Sequence, residues 1–267
     1  MRIKLTLLTS IFVALSACML SFGNDTNPQS ASEEKDYSPY PNPDRGYITD
    51  IADILTVEEE EKIEGWLYTA EKDTNIEIVV VIIESIKDYP GTKNNSIEDF
   101  ATGLFDAYGI GNMPKNDGVL LLVALEDRKA RIELGSGYGH RRDRDAQRIM
   151  STKIVPQFRK GNYTNGIIQG VRGILKEFSG ITIIPSWIKL VVIIIIIALI
   201  PISISLFRNG KRGWGWISIG LIIALLLALI WLVRKTVEKL PARSGAGGFG
   251  GGFGGGFSGG GGATGSW

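Results

Sequence analysis

Cysteine and histidine are almost missing from this chain of 267 residues, which contains only Cys18 and His140. A single cysteine excludes an intramolecular disulfide, and the two residues together exclude a zinc site built from Cys or several His ligands. A metal ion would be held mainly by oxygen, which favours calcium or magnesium. A Ser–His or Cys–His catalytic pair would depend on His140, and a lone histidine is more typical of an exposed loop.

An excess of charge of one sign is also missing. The chain has 29 basic and 28 acidic residues, interspersed along the sequence, and a formal net charge of +1. Nucleic-acid-binding domains need a basic face or a markedly basic composition. We therefore expect no nucleic-acid partner.

Several motifs that bind ligands or carry nucleophiles are absent. No segment has EF-hand spacing, and the loop GSGYG at Gly135–Gly139 is neither G-x-G-x-x-G, Walker A nor G-x-S-x-G. Ser136 is therefore not in a nucleophile elbow. A turn that needs positive φ explains these glycines better than a phosphate-binding loop, which remains the alternative.

The N-terminal region has the layout of an exported protein. Basic residues precede a short apolar run that ends at Cys18 in the letters LSAC, which resemble a bacterial lipobox. We predict a signal peptide over residues 1–18 with lipidation of Cys18; an ordinary signal or an uncleaved anchor is the alternative. Residues 19–44, rich in Pro, Ser and Asn, are predicted to be a flexible linker.

Two long apolar segments near the C-terminus predict a membrane hairpin. Residues 186–207 and 214–233 are each long enough to cross a bilayer as a helix, and the alternative is a pair of buried core helices. The connecting residues 208–213 are basic and are expected in the cytoplasm. This topology places the preceding domain on the periplasmic or outer face of the bacterial inner membrane, although Arg234 and Lys235 favour the opposite orientation.

The last part of the chain, residues 234–267, is dominated by glycine, with phenylalanines four residues apart. Because ordering glycine has a high entropic cost, we predict a disordered tail. A passive end and a weak partner-binding arm are both compatible with this composition.

The intervening residues 45–180 predict one α/β domain. The apolar run Gly118–Leu125 and the alternating run Arg128–Leu134 predict an antiparallel hairpin, and Ile76–Ile83 predicts a central strand. Capping signals at Thr56 and Ser96 predict two helices. Apolar periodicity predicts two more over residues 143–158 and 163–178. The order implies a small mixed β-sheet with helices on both faces, an αβα sandwich, followed by the two-helix transmembrane hairpin.

Several segments of this domain, taken in order, resemble the TPM-domain family over about Asn42 to Phe178. They are DIADIL at Asp50–Leu55, FDAYGIG at Phe105–Gly111, NDGVLL at Asn116–Leu121, RIE at Arg131–Glu133 with the glycines that follow, Asp145-Ala146, and PQFR at Pro156–Arg159. The leader, the spanning segments and the glycine tail ending in Gly265-Ser266-Trp267 are also similar to family members. Tyr108, where tryptophan is common, and a more basic lead-in to Asp145 depart from the pattern.

The resemblance implies binding of calcium or another divalent ion and, in some members, acid phosphatase activity. Asp50, Asp53, Asp117 and Asp145 are the carboxylates that we expect to hold Ca²⁺ or Mg²⁺, because sites in α/β domains gather at strand ends. The alternative is that Asp117 belongs to an ordinary turn and Asp145 to a helix start.

Three functions remain open from the sequence. The preferred one is a membrane-anchored, extracytoplasmic module that binds a partner or a divalent ion and maintains or assembles envelope or membrane proteins. The second is a metal-dependent phosphatase in which the basic cluster Arg141–Arg148 meets the phosphate. The third is a passive membrane scaffold. The lack of a recognisable nucleophile or base favours the first.

Overall fold

The computed structural model describes residues 36–44, 46–93, 95–183, 186–208, 216–217, 219–228 and 253–267. All of them belong to one compact unit, Asp36–Trp267. The predicted signal peptide with Cys18, most of the predicted linker, nearly all of the basic loop and residues 234–252 of the tail lie outside the described residues.

A five-stranded mixed sheet forms the centre of the domain, in the order β1-β2-β3-β4-β5. The strands are β1 (Ile48–Asp50), β2 (Ile78–Ile83), β3 (Val119–Ala124), β4 (Lys129–Gly135) and β5 (Ser258–Ser266). The first three are parallel, whereas β4 and β5 each run antiparallel to the strand before them in the sheet. The predicted central strand and the predicted hairpin are therefore confirmed.

Six helices with defined bounds surround or follow this sheet, and residues 216–217 and 219–228 are also helical in the part of the chain that the structure describes. They are α1 (Val57–Thr74), α2 (Ile97–Tyr108), α3 (Asp143–Ile149), α4 (Val155–Phe158), α5 (Tyr163–Ile174) and α6 (Ser186–Arg208). Thr56 and Glu59 form the predicted capping box of α1, and the Ser96 hydroxyl accepts the Asp99 N–H at the start of α2.

The helix predicted over residues 143–158 is not regular. A π-helical turn, Met150–Ile154, separates α3 from α4. Pro156 has no N–H to donate to the carbonyl one turn earlier, and the wider π turn accommodates this break without ending the helix. A second π turn, Leu175–Ser179, follows α5.

Helices cover both faces of the sheet, so the predicted αβα arrangement is confirmed. Because side chains alternate along a strand, β2 sends Val80 and Ile82 to one face and Val79 and Val81 to the other. The first face packs against apolar residues of α1, α3 and α5, and the second packs against α2. Both cores are closed to solvent, as the unbroken apolar strands require.

Part of the predicted flexible linker is packed against the domain instead. The rings of Tyr37 and Tyr108 meet edge to face with centroids 5.0 Å apart. The Tyr108 hydroxyl donates to the carbonyl of Pro41 over 2.7 Å. Aromatic contacts and one buried hydrogen bond thus order residues whose composition alone predicted flexibility.

The predicted disordered tail is also wrong for residues 253–267. They include β5, which pairs with β4 from Lys129↔Ser266 to Gly135↔Ser258. Glycine-rich composition disfavours a strand in isolation, but here the backbone is held by a partner strand and the missing side chains allow close packing.

The two predicted membrane segments are helical where they are described, over α6 and residues 219–228. Counting only described residues, no helix is long and apolar enough to cross a membrane.

Candidate functional site: the tail groove

Asp50 and Asp53 lie together after β1, where they shape a loop. The Oδ2 atom of Asp50 accepts the N–H groups of Ile54 at 2.9 Å and Leu55 at 2.8 Å. Burial raises the pKa of Asp50 above its usual value, although these backbone hydrogen bonds oppose the shift. Asp53 is exposed and has a φ of 51°. The observed contacts therefore give Asp50 the role of a loop cap.

Asp117 and Asp145 lie at the other end of the sheet. Asp117 precedes β3 and is close enough to Tyr138 to raise the pKa of that hydroxyl, which burial has already raised. Asp145, in α3, forms ion pairs with Arg142 and Arg148, each over 2.9 Å. Its carboxylate oxygens are thus engaged by arginine.

The four predicted carboxylates do not form one site. Asp50 is level with Ile82 and Val123 across the parallel strands, whereas Asp117 lies six residues before Val123. At about 3.3 Å per residue, this places Asp117 roughly 15–20 Å from Asp50 along the strands.

Among the described residues, no group of three or more His, Cys, Asp or Glu side chains is arranged to hold a metal ion. One buried oxygen each of Asp50 and Asp117 has no hydrogen-bond partner there. Calcium needs six to eight oxygen ligands, so two separate carboxylates do not fit a shared ion.

Three of the four arginines in the predicted phosphate-binding cluster make contacts within the protein. Arg148 contacts both Asp145 and Glu177 over 2.9 Å, and Arg142 lies over the ring of Phe178 at 5.1 Å. Arg141 donates to the carbonyls of Gly137 and Tyr138. His140 is exposed and contacts Asp143 over 2.9 Å. These contacts support a helix start stabilised by charge rather than a catalytic centre.

The most extensively built site of the domain is a groove that holds the C-terminal residues. We call it the tail groove: the edge of β4 that faces away from β3, the loop 109–116 before β3, and the aromatic side chains of Tyr108, Phe158 and Tyr163. Residues 253–267 fill it and add a strand to the sheet, as in β-strand addition by peptides.

Aromatic rings hold the two ends of the tail. Phe253 is 8% exposed and stacks on Tyr108, with ring centroids 5.2 Å apart and an angle of 4° between the rings. At the other end, Trp267 meets Phe158 edge to face at 4.5 Å and lies 6.1 Å from Tyr163. Phe253 is buried and Trp267 is half-buried, and packed aromatic residues are the usual anchors of a peptide in a groove.

Asn116 binds the backbone of the tail at its centre. Its amide Nδ2 donates to the carbonyl of Phe257 over 2.8 Å, and its Oδ1 accepts the N–H of the same residue over 3.0 Å. Asn116 is 3% exposed and has a φ of 50°, a conformation that asparagine tolerates better than most residues. One side chain thus satisfies both backbone polar groups of Phe257.

A buried ion pair lies beneath the strand. Arg131 and Glu133 pair over 2.7 Å, with the Glu133 side chain fully buried. Glu133 also accepts hydrogen bonds from the hydroxyls of Thr102 and Ser258, and Arg131 donates to the Gly261 carbonyl at 3.2 Å. The tail therefore supplies partners for both charges, which buried ion pairs require.

Three further carboxylates accept hydrogen bonds from the tail. Asp106 accepts the Ser258 N–H at 2.7 Å, Asp143 accepts the Gly262 N–H at 2.8 Å, and Glu98 accepts the Thr264 hydroxyl at 2.6 Å. Each bond has an ionisable acceptor, which makes it stronger than a neutral one.

Glycine is required along the tail because neighbouring atoms leave no room for side chains. A Cβ added at Gly256 would overlap the Ile110 carbonyl, and one at Gly262 would overlap the Ile132 carbonyl. Gly262 also has a φ of 136°. At Gly261 the nearest atom to an added Cβ is the Gly139 carbonyl oxygen, 2.7 Å away. The groove therefore selects glycine at these positions by close backbone approach.

The same kind of fit explains the loop Gly135–Gly139. Only Gly139 has a positive φ, of 52°. A Cβ at Gly135 would overlap the carbonyl of Asn116, and one at Gly137 would overlap that of Lys115. The prediction of a positive-φ turn therefore holds for one glycine, and close approach to the loop before β3 accounts for the other two.

Glu77 joins the start of the tail to the loop before β3. Its Oε2 accepts the N–H groups of Gly111 at 2.7 Å and Gly254 at 3.2 Å. Burial raises its pKa to about 7, partly offset by these two bonds. Burial likewise raises the pKa of Glu64, in α1, to about 7.

We expect the folded protein to become more stable as the pH falls from 8 to 5. The pKa of Glu77 is higher in the folded chain than in the unfolded one, so its contribution is complete below about pH 4.5 and is lost as the pH rises through about 7. Thermal unfolding measured across this range should show a smaller pH dependence for Glu77→Gln than for the wild type. Equal pH slopes for the two proteins would contradict the assignment.

The sequence interpretation missed the groove and most of its residues. Asn116, Glu77, Glu98 and Asp106 are not among the predicted site residues. The available signal was that FDAYGIG, NDG and RIE, three segments that carry the family resemblance, all contain residues that contact the tail. The recurring phenylalanines and the final Gly-Ser-Trp were a second signal.

One family model and several solved structures match part of this chain. Residues 48–177 match the model of a family described as TPM domain. None of the curated proteins compared with the chain matches it. Among solved structures, it is similar to the N-terminal domain of a P. gingivalis protein, with 29% identity, a TM-score of 0.42, and coverage of 55% of this chain and 92% of that one.

Two further solution structures are similar. Protein BA42 from Bizionia argentinensis has 29% identity and a TM-score of 0.39, with coverage of 49% of this chain and 88% of that one. The N-terminal domain of cg2496 from Corynebacterium glutamicum has 15% identity and a TM-score of 0.39, with coverage of 52% and 84%.

Proposed function

We propose that this chain, which belongs to the TPM-domain family through residues 48–177, is a partner-binding module. The module recognises an extended, glycine-rich segment. The observation that carries this proposal is the tail groove, in which aromatic rings, the Asn116 amide and the Asp143 carboxylate all contact residues 253–267. Strand addition at a sheet edge is a common way to recognise peptides.

The contacts of the tail favour binding over chemistry. Asn116, Arg131 and Glu133 hold backbone or hydroxyl groups of the tail. Two of the residues considered for a phosphatase, Asp145 and Arg148, are paired with each other. The phosphatase remains the second candidate from the family resemblance. This hypothesis predicts that the protein releases phosphate from a generic monoester and that Asp117→Asn abolishes the release. If the wild-type protein releases no phosphate between pH 5 and 8, the phosphatase hypothesis is excluded.

We further propose that the module works at the bacterial envelope, tethered to the inner membrane with its groove outside the cytoplasm, where it maintains or assembles membrane proteins. The N-terminal leader, the apolar composition of residues 186–207 and 214–233, and the basic loop between them support this placement. In α6, Ile194 and Ile197 are 64% and 61% exposed, a surface that lipid would cover. Failure of an impermeant reagent to label the domain on intact cells would refute the orientation.

We expect a synthetic peptide of residues 253–267 to bind the groove when the chain's own tail is cut free. A protease site placed within residues 234–252 of the full-length protein would release the tail without removing any described residue. The labelled peptide should then bind with a Kd of about 1–100 µM, because two aromatic anchors and several backbone hydrogen bonds are offset by the ordering of glycine. Fluorescence anisotropy measures this directly.

The matched control is a peptide with Gly261 and Gly262 replaced by alanine, which keeps both aromatic anchors and every charge. Overlap of the added Cβ atoms with the Gly139 and Ile132 carbonyls should weaken binding at least ten-fold. Equal binding of the two peptides would show that the association is not strand addition. No binding of the native peptide to the cut protein would refute the proposed function.

A further inference from the structure

The strand that fills the tail groove reaches it from a distant part of the sequence. Residues 229–252 separate the last helical residue that the structure describes from the described part of the tail. At no more than about 3.6 Å per residue, a connection of this length spans at most about 85 Å. A domain of this size has a diameter of about 40 Å. The length of the connection therefore permits the tail to enter the groove of a neighbouring copy.

The contacts of the tail do not depend on which copy supplies it. The strand pairing joins β4 to β5. The aromatic anchors and the side-chain hydrogen bonds join residues of the groove to residues 253–267. The docked strand has the same local free energy in either arrangement, so the effective concentration of competing tails decides between them. Proteins that exchange an identical element between copies in this way form domain-swapped dimers.

The groove's chemical requirements point to this occupant. A ligand needs residues without side chains, that is glycine, opposite the Ile110, Gly139 and Ile132 carbonyls. It also needs one aromatic side chain that packs on Tyr108 and another that packs on Phe158. The segment shown to meet all of these requirements is the chain's own C-terminal sequence, and every copy carries one. An unfilled β4 would also leave an edge strand open to unspecific pairing.

We propose that the tail groove also takes the tail of a second copy, so that two molecules exchange their C-terminal strands and close a dimer. This inference rests on the proposed function, because it assigns the occupant of the same groove. In the exchanged dimer Phe253 of one molecule stacks on Tyr108 of the other, and each Asn116 binds the other molecule's Phe257.

Paired cysteines on different molecules test the exchange. Lys129 and Ser266 face each other across the β4–β5 pair. In a full-length Cys18→Ser background, which removes the only native cysteine, one tagged version carries Lys129→Cys and a second, differently tagged version carries Ser266→Cys. Facing antiparallel residues are within the Cα separation that a disulfide needs. After mixing in detergent and mild oxidation, we expect a disulfide-linked heterodimer that carries both tags.

Three controls make the result decisive. The combination of Lys129→Cys with Ser258→Cys is out of register, because Ser258 faces Gly135, and should give no heterodimer. Phe253→Ala in the tail-donating version should lower the heterodimer yield at least ten-fold. A single chain carrying both Lys129→Cys and Ser266→Cys reports docking within one molecule.

The outcomes separate this inference from the proposed function. A heterodimer whose yield rises with protein concentration and falls with excess peptide supports exchange. If the double-cysteine chain closes on itself and the mixed single-cysteine versions never link, the tail stays in its own molecule; the inference is then wrong while the groove still binds a glycine-rich strand. If neither link forms, the β4–β5 register itself fails, and both proposals fall.

Discussion

Replacing Phe253 by alanine is expected to weaken docking of the tail by about 2–4 kcal/mol, or roughly 30- to 900-fold in the affinity of the peptide for the cut protein. Phe253 is 8% exposed and stacks on Tyr108 at 5.2 Å, so its truncation leaves an empty space beside a fully packed ring. Anisotropy titration of the peptide measures the loss.

The chain contains its own control four residues later. Phe257 is the same residue type in the same peptide, but its side chain is 50% exposed. Its contribution comes from the backbone, which bonds to Asn116 and to the Ser136 N–H, and alanine preserves these bonds. Phe257→Ala should therefore change affinity by no more than about three-fold. Similar losses for both variants would mean that general hydrophobicity holds the tail, and that the observed stacking does not determine binding.

Local rules explain why much of the α/β domain was predictable from its sequence. Helix starts at Thr56 and Ser96 follow from side chains that cap the first backbone N–H groups, and such signals act within four residues. The strands β2 and β3 follow from apolar runs that only a doubly covered sheet can bury. Each inference needed a short window of sequence and no knowledge of the partners.

The tail could not be predicted in this way because its order comes from distant contacts. Its glycines predict disorder as long as the segment is considered alone. The backbone of residues 258–266 is ordered by β4, more than a hundred residues earlier in the chain. Glycine also has a second property, its small size, which becomes decisive only when the Ile110 and Ile132 carbonyls are close by.

The carboxylates that were predicted to share a metal ion lie apart, and the strand directions explain why. Asp50 is at the end of β1, whereas Asp117 comes before the start of β3, and the two strands run parallel through β2. A residue after one parallel strand and a residue before another lie at opposite ends of the sheet. Asp145 lies at the same end of the sheet as Asp117, but its carboxylate oxygens form ion pairs with Arg142 and Arg148.

The isosteric change Asn116→Asp is expected to have the largest effect on tail docking, a loss of about 3 kcal/mol or more, or at least about 100-fold in peptide affinity. The carboxylate keeps the shape of the amide and tolerates the φ of 50°. It loses the donor to the Phe257 carbonyl, 2.8 Å away, and places negative charge against that oxygen in a site that is 3% exposed.

Asp117→Asn is the matched control, because it makes the opposite swap at the next residue. The Asp117 Oδ1 atom is buried and has no hydrogen-bond partner within the described part of the chain. Replacing the charge by an amide therefore removes no bond to the tail, and peptide affinity should stay within about three-fold. Thermal unfolding of both variants separates loss of docking from loss of folding. If Asp117→Asn abolished binding and Asn116→Asp did not, the functional centre would lie at the carboxylate, and the groove would be a packing feature of the sheet edge.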